Sequence, residues 1–90
     1  MATFQELGRG YARRILDQPS IPEGTRIASE INGLIYEGTN TPVSKSDKQR
    51  IVREIREGFA YHRPDINWNF KSSNNQEYLD LVDHIMDQLD

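Results

Sequence analysis

Residues 44–61 read SKSDKQRIVREIREGFAY, and their pattern decides the fold class. Ile51, Val52, Ile55 and Phe59 fall on one stripe at helical spacing, with charged residues between them. Pro42 ends the preceding TNTP turn, and two hydroxyls then compete for the N-cap: Ser44 faces Asp47 three residues on, and Ser46 faces Gln49. Both are capping-box patterns, in which a short side-chain oxygen takes up an otherwise orphaned backbone N–H. Arg50–Glu54 and Arg53–Glu57 have the i,i+4 spacing of ion pairs. The helix must stop before Pro64, because the residue ahead of a proline is pushed out of the helical region. Phe59 still fits the stripe, which carries the helix past Gly58 to Tyr61.

Upstream, Thr3 and Glu6 form another capping box, and Phe4, Leu7, Tyr11 and Ile15 make an amphipathic helix over 3–17, ended by Pro19. Gly8 and Gly10 lie inside it, each costing roughly 1 kcal/mol relative to alanine. Gly8 falls on the apolar side, where a missing side chain lets a second helix come close; Gly10 does not. Arg9 and Arg13 lie on the outer face. A second helix is expected over 20–37, with Ser20 and Glu23 as its capping box and Pro22 in its first turn. Ile27, Ala28, Ile31, Leu34 and Ile35 form its wide apolar stripe, Tyr36 points away from that stripe, and Gly38 closes the helix end.

Downstream, Ile66, Trp68 and Phe70 alternate with Asp65, Asn67, Asn69 and Lys71, the period of an extended segment with one apolar face. Residues 62–73 are therefore expected to form an extended aromatic crossover, anchored by Trp68, with all three apolar side chains pointing the same way. A last helix over 74–89 starts from Ser73 or Asn74. It buries Tyr78, Leu79, Leu81, Val82, Ile85, Met86 and Leu89, and its other face is an acidic ridge of Asp80, Asp83, Asp87 and Asp90. The expected architecture is one all-α domain, residues 1–90: a bundle of four helices whose short first connections make them antiparallel neighbours.

Composition bounds the function. Ninety residues without cysteine carry no disulfide, no thiolate chemistry and no sulfur-rich zinc site. No apolar run approaches the ~18 residues of a membrane span, and the cysteine usage fits a cytoplasmic protein. The net charge of −3 is polarised. Residues 1–60 hold nine Lys/Arg against eight Asp/Glu, and residues 61–90 hold two against six.

Tyr61, His62, Arg63 and Asp65 gather a base, a cation and a carboxylate, but no nucleophile motif or phosphate loop accompanies them, so no catalytic residue and no cofactor is assigned. Asp80, His84 and Asp87 share a helix face, yet one face cannot wrap an ion, and no metal site is assigned. Two binding classes remain. The first is a non-enzymatic protein-binding module: a small regulator, inhibitor or adaptor that occupies a partner protein's surface. Its candidate contacts are Tyr61, His62, Arg63 and Trp68 with Arg53 and Arg56, since Trp, Tyr and Arg are the residues most enriched at interface hot spots. Trp68 is expected to be buried, leaving Tyr61, His62 and Arg63 at the rim. The second is a nucleic-acid-binding regulator, in which the second and central helices have the outline of a helix-turn-helix and Lys45, Lys48, Arg50, Arg53 and Arg56 supply a basic face. Against it stand the long Gly38–Val43 connection, the interspersed Glu54 and Glu57, and the acidic total.

Overall fold

The computed structural model describes residues 3–90. Local capping sets the starts of the two longest helices. Thr3 Oγ1 accepts the Glu6 N–H at 3.1 Å and opens α1, Phe4–Asp17. Ser44, not Ser46, accepts the Asp47 N–H at 3.2 Å and opens α3, Lys45–His62, which runs through Gly58 as its apolar stripe requires. The others are α2, Gly24–Asn32, and α4, Gln76–Asp87, making a four-helix all-α domain. Among the described residues no helix is long and apolar enough to cross a membrane.

α2 is shorter than the expected 20–37 at both ends. Glu23 is its N-cap and makes no side-chain cap bond, so the Ser20 box is unused. Gly33 ends it, and residues 34–36 then pair with 41–43 instead of continuing the helix. Val43 N–H donates to Leu34 O at 3.0 Å and Tyr36 N–H to Thr41 O at 2.9 Å, flanking an antiparallel bridge between Ile35 and Pro42. Gly38 takes the left-handed conformation, φ 77°, but in the turn of this small hairpin and not at a helix end. The pairing brings the Tyr36 hydroxyl to the start of α3. There it donates to Asp47 Oδ2 at 2.6 Å and accepts the Ser44 N–H at 3.1 Å. Tyr36 is thus a second cap for α3, and its tertiary bonds outweigh the weak helical preference of residues 34–37.

The helices are not antiparallel neighbours in chain order. α1 packs most extensively on α3, while α2 and α3 each pack on α4. Along α1 and α3, Phe4 meets Arg50, Gly8 meets Glu54 and Ala12 meets Gly58, so the two helices run parallel. The expectation for Gly8 holds. A methyl group there would collide with the Cβ and backbone of Glu54, and one on Gly58 would come within 2.7 Å of Ala12 Cβ. Around this clasp, Ile15, Ile31, Val52, Ile55, Phe59 and Ile85 are completely buried.

The crossover is not extended. Residues 63–66 and 67–70 form two consecutive turns, with Ile66 N–H donating to Arg63 O at 3.3 Å and Asn69 N–H to Asn67 Oδ1 at 3.0 Å. Turns break the period of two, so the three apolar side chains part company. Trp68 is 7% exposed, Ile66 is half-buried, and Phe70 is 72% exposed. Neither Ser73 nor Asn74 caps α4. Its N-cap is Asn75, whose side chain turns inward: Nδ2 donates to Asn67 O at 2.8 Å and Phe70 O at 2.9 Å, and Oδ1 accepts the Ser72 N–H at 2.8 Å. Asn75 is only 1% exposed and ties the crossover together.

Candidate binding surface

The C-terminal half of α3 and the α1 residues beside it form one solvent-facing surface. α3 places Arg53, Arg56 and Tyr61 outward, because these positions lie off its apolar stripe. Tyr61 is 59% exposed, and the Arg9 guanidinium lies over its ring at 3.8 Å from the centroid. That is cation–π geometry. His62 sits behind, its ring edge-on to Tyr61 at 5.2 Å, with Nε2 3.0 Å from Arg9 O. A carbonyl only accepts, so Nε2 carries the hydrogen, and the imidazole fastens α3 to α1.

Two depressions share this surface. One, of about 260 Å³, is lined by Arg53, Arg56, Glu57, Ala60, Trp68 and Asn69. The other, of about 690 Å³, lies on the α1 side and includes Arg9, Arg53, Glu57, Ala60 and Tyr61. Arg53, Glu57 and Ala60 form the ridge between them. Trp68 contributes only an edge to the first. Its ring stacks on Phe59 at 5.2 Å, Tyr78 lies edge-on at 6.1 Å, and its Nε1 donates to Arg63 O at 2.9 Å. Arg56 reaches across to donate to Trp68 O at 3.3 Å.

Of the six candidate residues, Arg53, Arg56, Tyr61 and Trp68 therefore line one continuous surface, and His62 supports it. Arg63 is turned away into a two-pronged contact with Asp65, Nε to Oδ1 and Nη2 to Oδ2, both 3.0 Å. Bonding to that guanidinium holds the Asp65 carboxyl below the usual aspartate range. The Arg50–Glu54 and Arg53–Glu57 ion pairs are not formed; among the described residues the pairs are Arg13–Asp17, Arg14–Glu30, Arg63–Asp65, and Lys71 with Asp80 and Asp83. Arg50 lies over Phe4 instead. Lys48 is buried along its stem, which takes it out of the exposed basic face. Arg9 is the residue that sequence reading missed: it was placed outward on α1, but only the parallel clasp brings it to Tyr61.

No cluster of three or more His, Cys, Asp or Glu is placed to hold a metal ion among the described residues. His84 packs on Gly24, with Nε2 3.4 Å from Thr25 Oγ1, and Lys71 bridges Asp80 and Asp83. Compared with protein-family models, curated proteins and solved structures, the chain matches none.

Proposed function

We propose that this chain is a non-enzymatic protein-binding module, a small cytoplasmic regulator, inhibitor or adaptor that occupies a partner's surface with its α1–α3 face. The observation that carries the reading is the exposed Tyr61 ring under the Arg9 guanidinium, with Arg53 and Arg56 beside it. The tyrosine ring gives large contact area at low entropic cost, and tyrosine with arginine is the composition of interface hot spots. His62 and the α1–α3 clasp hold the surface in place before any partner arrives, which favours affinity through preorganisation. The arginines suit a partner surface bearing carboxylates.

Nucleic acid is the second reading, favoured by one observation: Arg53 makes no ion pair among the described residues. Glu54 and Glu57 on the same surface, the twelve-residue connection between α2 and α3 and the net charge of −3 weigh against it. Affinity capture from the source cell's lysate separates the two. A protein retained by the parent and lost by Tyr61→Ala with Arg53→Glu supports the proposal. Recovery of nucleic acid that the same variant loses, with binding that weakens steeply in salt, replaces it with the second reading.

A further inference from the structure

The junction between α2 and α4 lies apart from the α1–α3 surface and carries a different chemistry. α2 closes on Asn32 with Gly33 as its C-cap, and of the six asparagines in the chain Asn32 alone precedes a glycine. Such a pair is the most open to ring closure of side chain onto backbone. A following residue without Cβ neither shields its own nitrogen nor restricts the backbone rotation the ring needs. Gly33 is exposed and Asn32 half-buried, so water reaches both.

The fold holds this pair closed. Asn32 Nδ2 donates to Gln88 O at 3.1 Å, and Asn32 Oδ1 accepts the Asp90 N–H at 3.0 Å. Both ends of the side-chain amide are thereby fixed to the turn that follows α4, where Leu89 is buried in the core. The Gly33 N–H points back into α2 and donates to Ser29 O at 3.1 Å and Glu30 O at 3.2 Å. Ring closure needs the side chain to swing until its Cγ meets Gly33 N. It cannot do so while it is bound to residues 88–90.

We propose that Asn32–Gly33 is a self-modification site gated by the turn after α4: when residues 88–90 lift away, Asn32 deamidates through Gly33. Gly33 N gives up its proton and bonds to Asn32 Cγ, the Cγ–Nδ2 bond breaks, and ammonia leaves with that proton. Water then opens the succinimide ring. Addition at Cγ leaves an aspartate, and addition at the backbone carbonyl carbon leaves an isoaspartate whose chain runs through Cβ and Cγ. Either product adds one negative charge to a chain of net charge −3. Neither restores the hydrogen bond to Gln88 O, because a carboxylate only accepts. The reaction therefore loosens the junction that gates it.

Incubation of the folded protein at neutral pH, followed by peptide mapping with mass spectrometry, tests the proposal. Asn32 gains the mass of an NH2-to-OH exchange ahead of every other asparagine. Each side-chain bond shifts the open population roughly fivefold, so the folded parent converts ~20-fold or more slowly than the same chain unfolded in guanidinium chloride. Asp90→Pro removes the Asp90 N–H and speeds conversion of the folded protein roughly fivefold; Leu89→Ala, which loosens the same turn through the core, acts in the same direction. A methyl on Gly33 meets only the Ser29 and Glu30 carbonyls, at an ordinary 3.6 Å. Gly33→Ala therefore melts like the parent, and its Asn32 stays intact over the same period. An unfolded parent whose Asn32 converts no faster than its other asparagines overturns the site. A folded parent that converts as fast as the unfolded chain overturns the gate, as do folded Asp90→Pro and Leu89→Ala proteins that convert no faster than the parent.

Discussion

Asn75→Ala is the substitution that most directly probes how the crossover is held. The side chain is 1% exposed and makes three hydrogen bonds, to Asn67 O, Phe70 O and the Ser72 N–H, at 2.8–2.9 Å. Alanine removes all three partners at once and leaves two carbonyls and one amide in a partly buried setting. A net loss of about 1 kcal/mol per bond, more where water cannot replace the amide, gives roughly 2–4 kcal/mol. Against a total of about 5–13 kcal/mol for a chain of this length, that is a large fraction, and it corresponds to a melting temperature lower by roughly 10–25 °C. Asn75→Asp keeps an acceptor for Ser72 but sets a carboxylate against two carbonyl oxygens, so it should be no milder. Ser73→Ala, two residues away and exposed, should stay within about 0.5 kcal/mol. Thermal and urea unfolding followed by circular dichroism would measure all three. If Asn75→Ala unfolds with Ser73→Ala, the two turns are held by something other than this side chain.

The two glycines of α1 should respond with opposite signs. Gly10→Ala meets open space and should stabilise by about 0.5–1 kcal/mol, whereas Gly8→Ala runs into Glu54 and should destabilise despite the same gain in helix propensity, both read from urea midpoints. Trp68→Ala empties a site stacked on Phe59 and should cost about 3–5 kcal/mol; in the parent, tryptophan fluorescence should resist iodide quenching. Asp65, its pKa depressed by Arg63, should keep its tie above the unfolded carboxylate pKa and lose it only as pH falls through the lower folded value. An NMR titration should show the midpoint rising in Arg63→Gln, and an unmoved midpoint would mean that the Arg63 contact is not made in solution.

What the sequence disclosed was mostly what neighbours within four residues decide. Thr3 and Ser44 act as caps where read, since the bond closes over three residues. The stripe of α3 carried it through Gly58. α2 was read too long because its end depends on backbone bonds from residues 34–36 to residues 41–43, and an apolar stripe says nothing about such a competitor. Gly8 announced a close helix approach but could not name α3 as the partner or parallel as its direction. The alternation of Ile66, Trp68 and Phe70 was too short to establish an extended segment. Asn75 resembled one more polar residue at a helix start, although its side chain organises the two turns before it.

The same dependence on tertiary packing governs the proposed binding surface. Arg53 and Arg56 were visible as outward positions on one helix, but the α1 side of the surface, where Arg9 crosses onto Tyr61, was not. That crossing is set by Gly8 and Gly58, which are buried and have no side chain to offer a partner. Gly58→Ala, whose new methyl would press on Ala12, should therefore weaken the partner binding proposed above without altering a proposed contact residue. It should do so by moving Arg9 and the Arg9 carbonyl away from Tyr61 and His62. The Tyr61 and His62 ring signals in the NMR spectrum report that displacement directly. If they stay at their parent positions in a folded Gly58→Ala protein, the clasp does not set the geometry of the surface, and Arg9 reaches Tyr61 by its own flexibility alone.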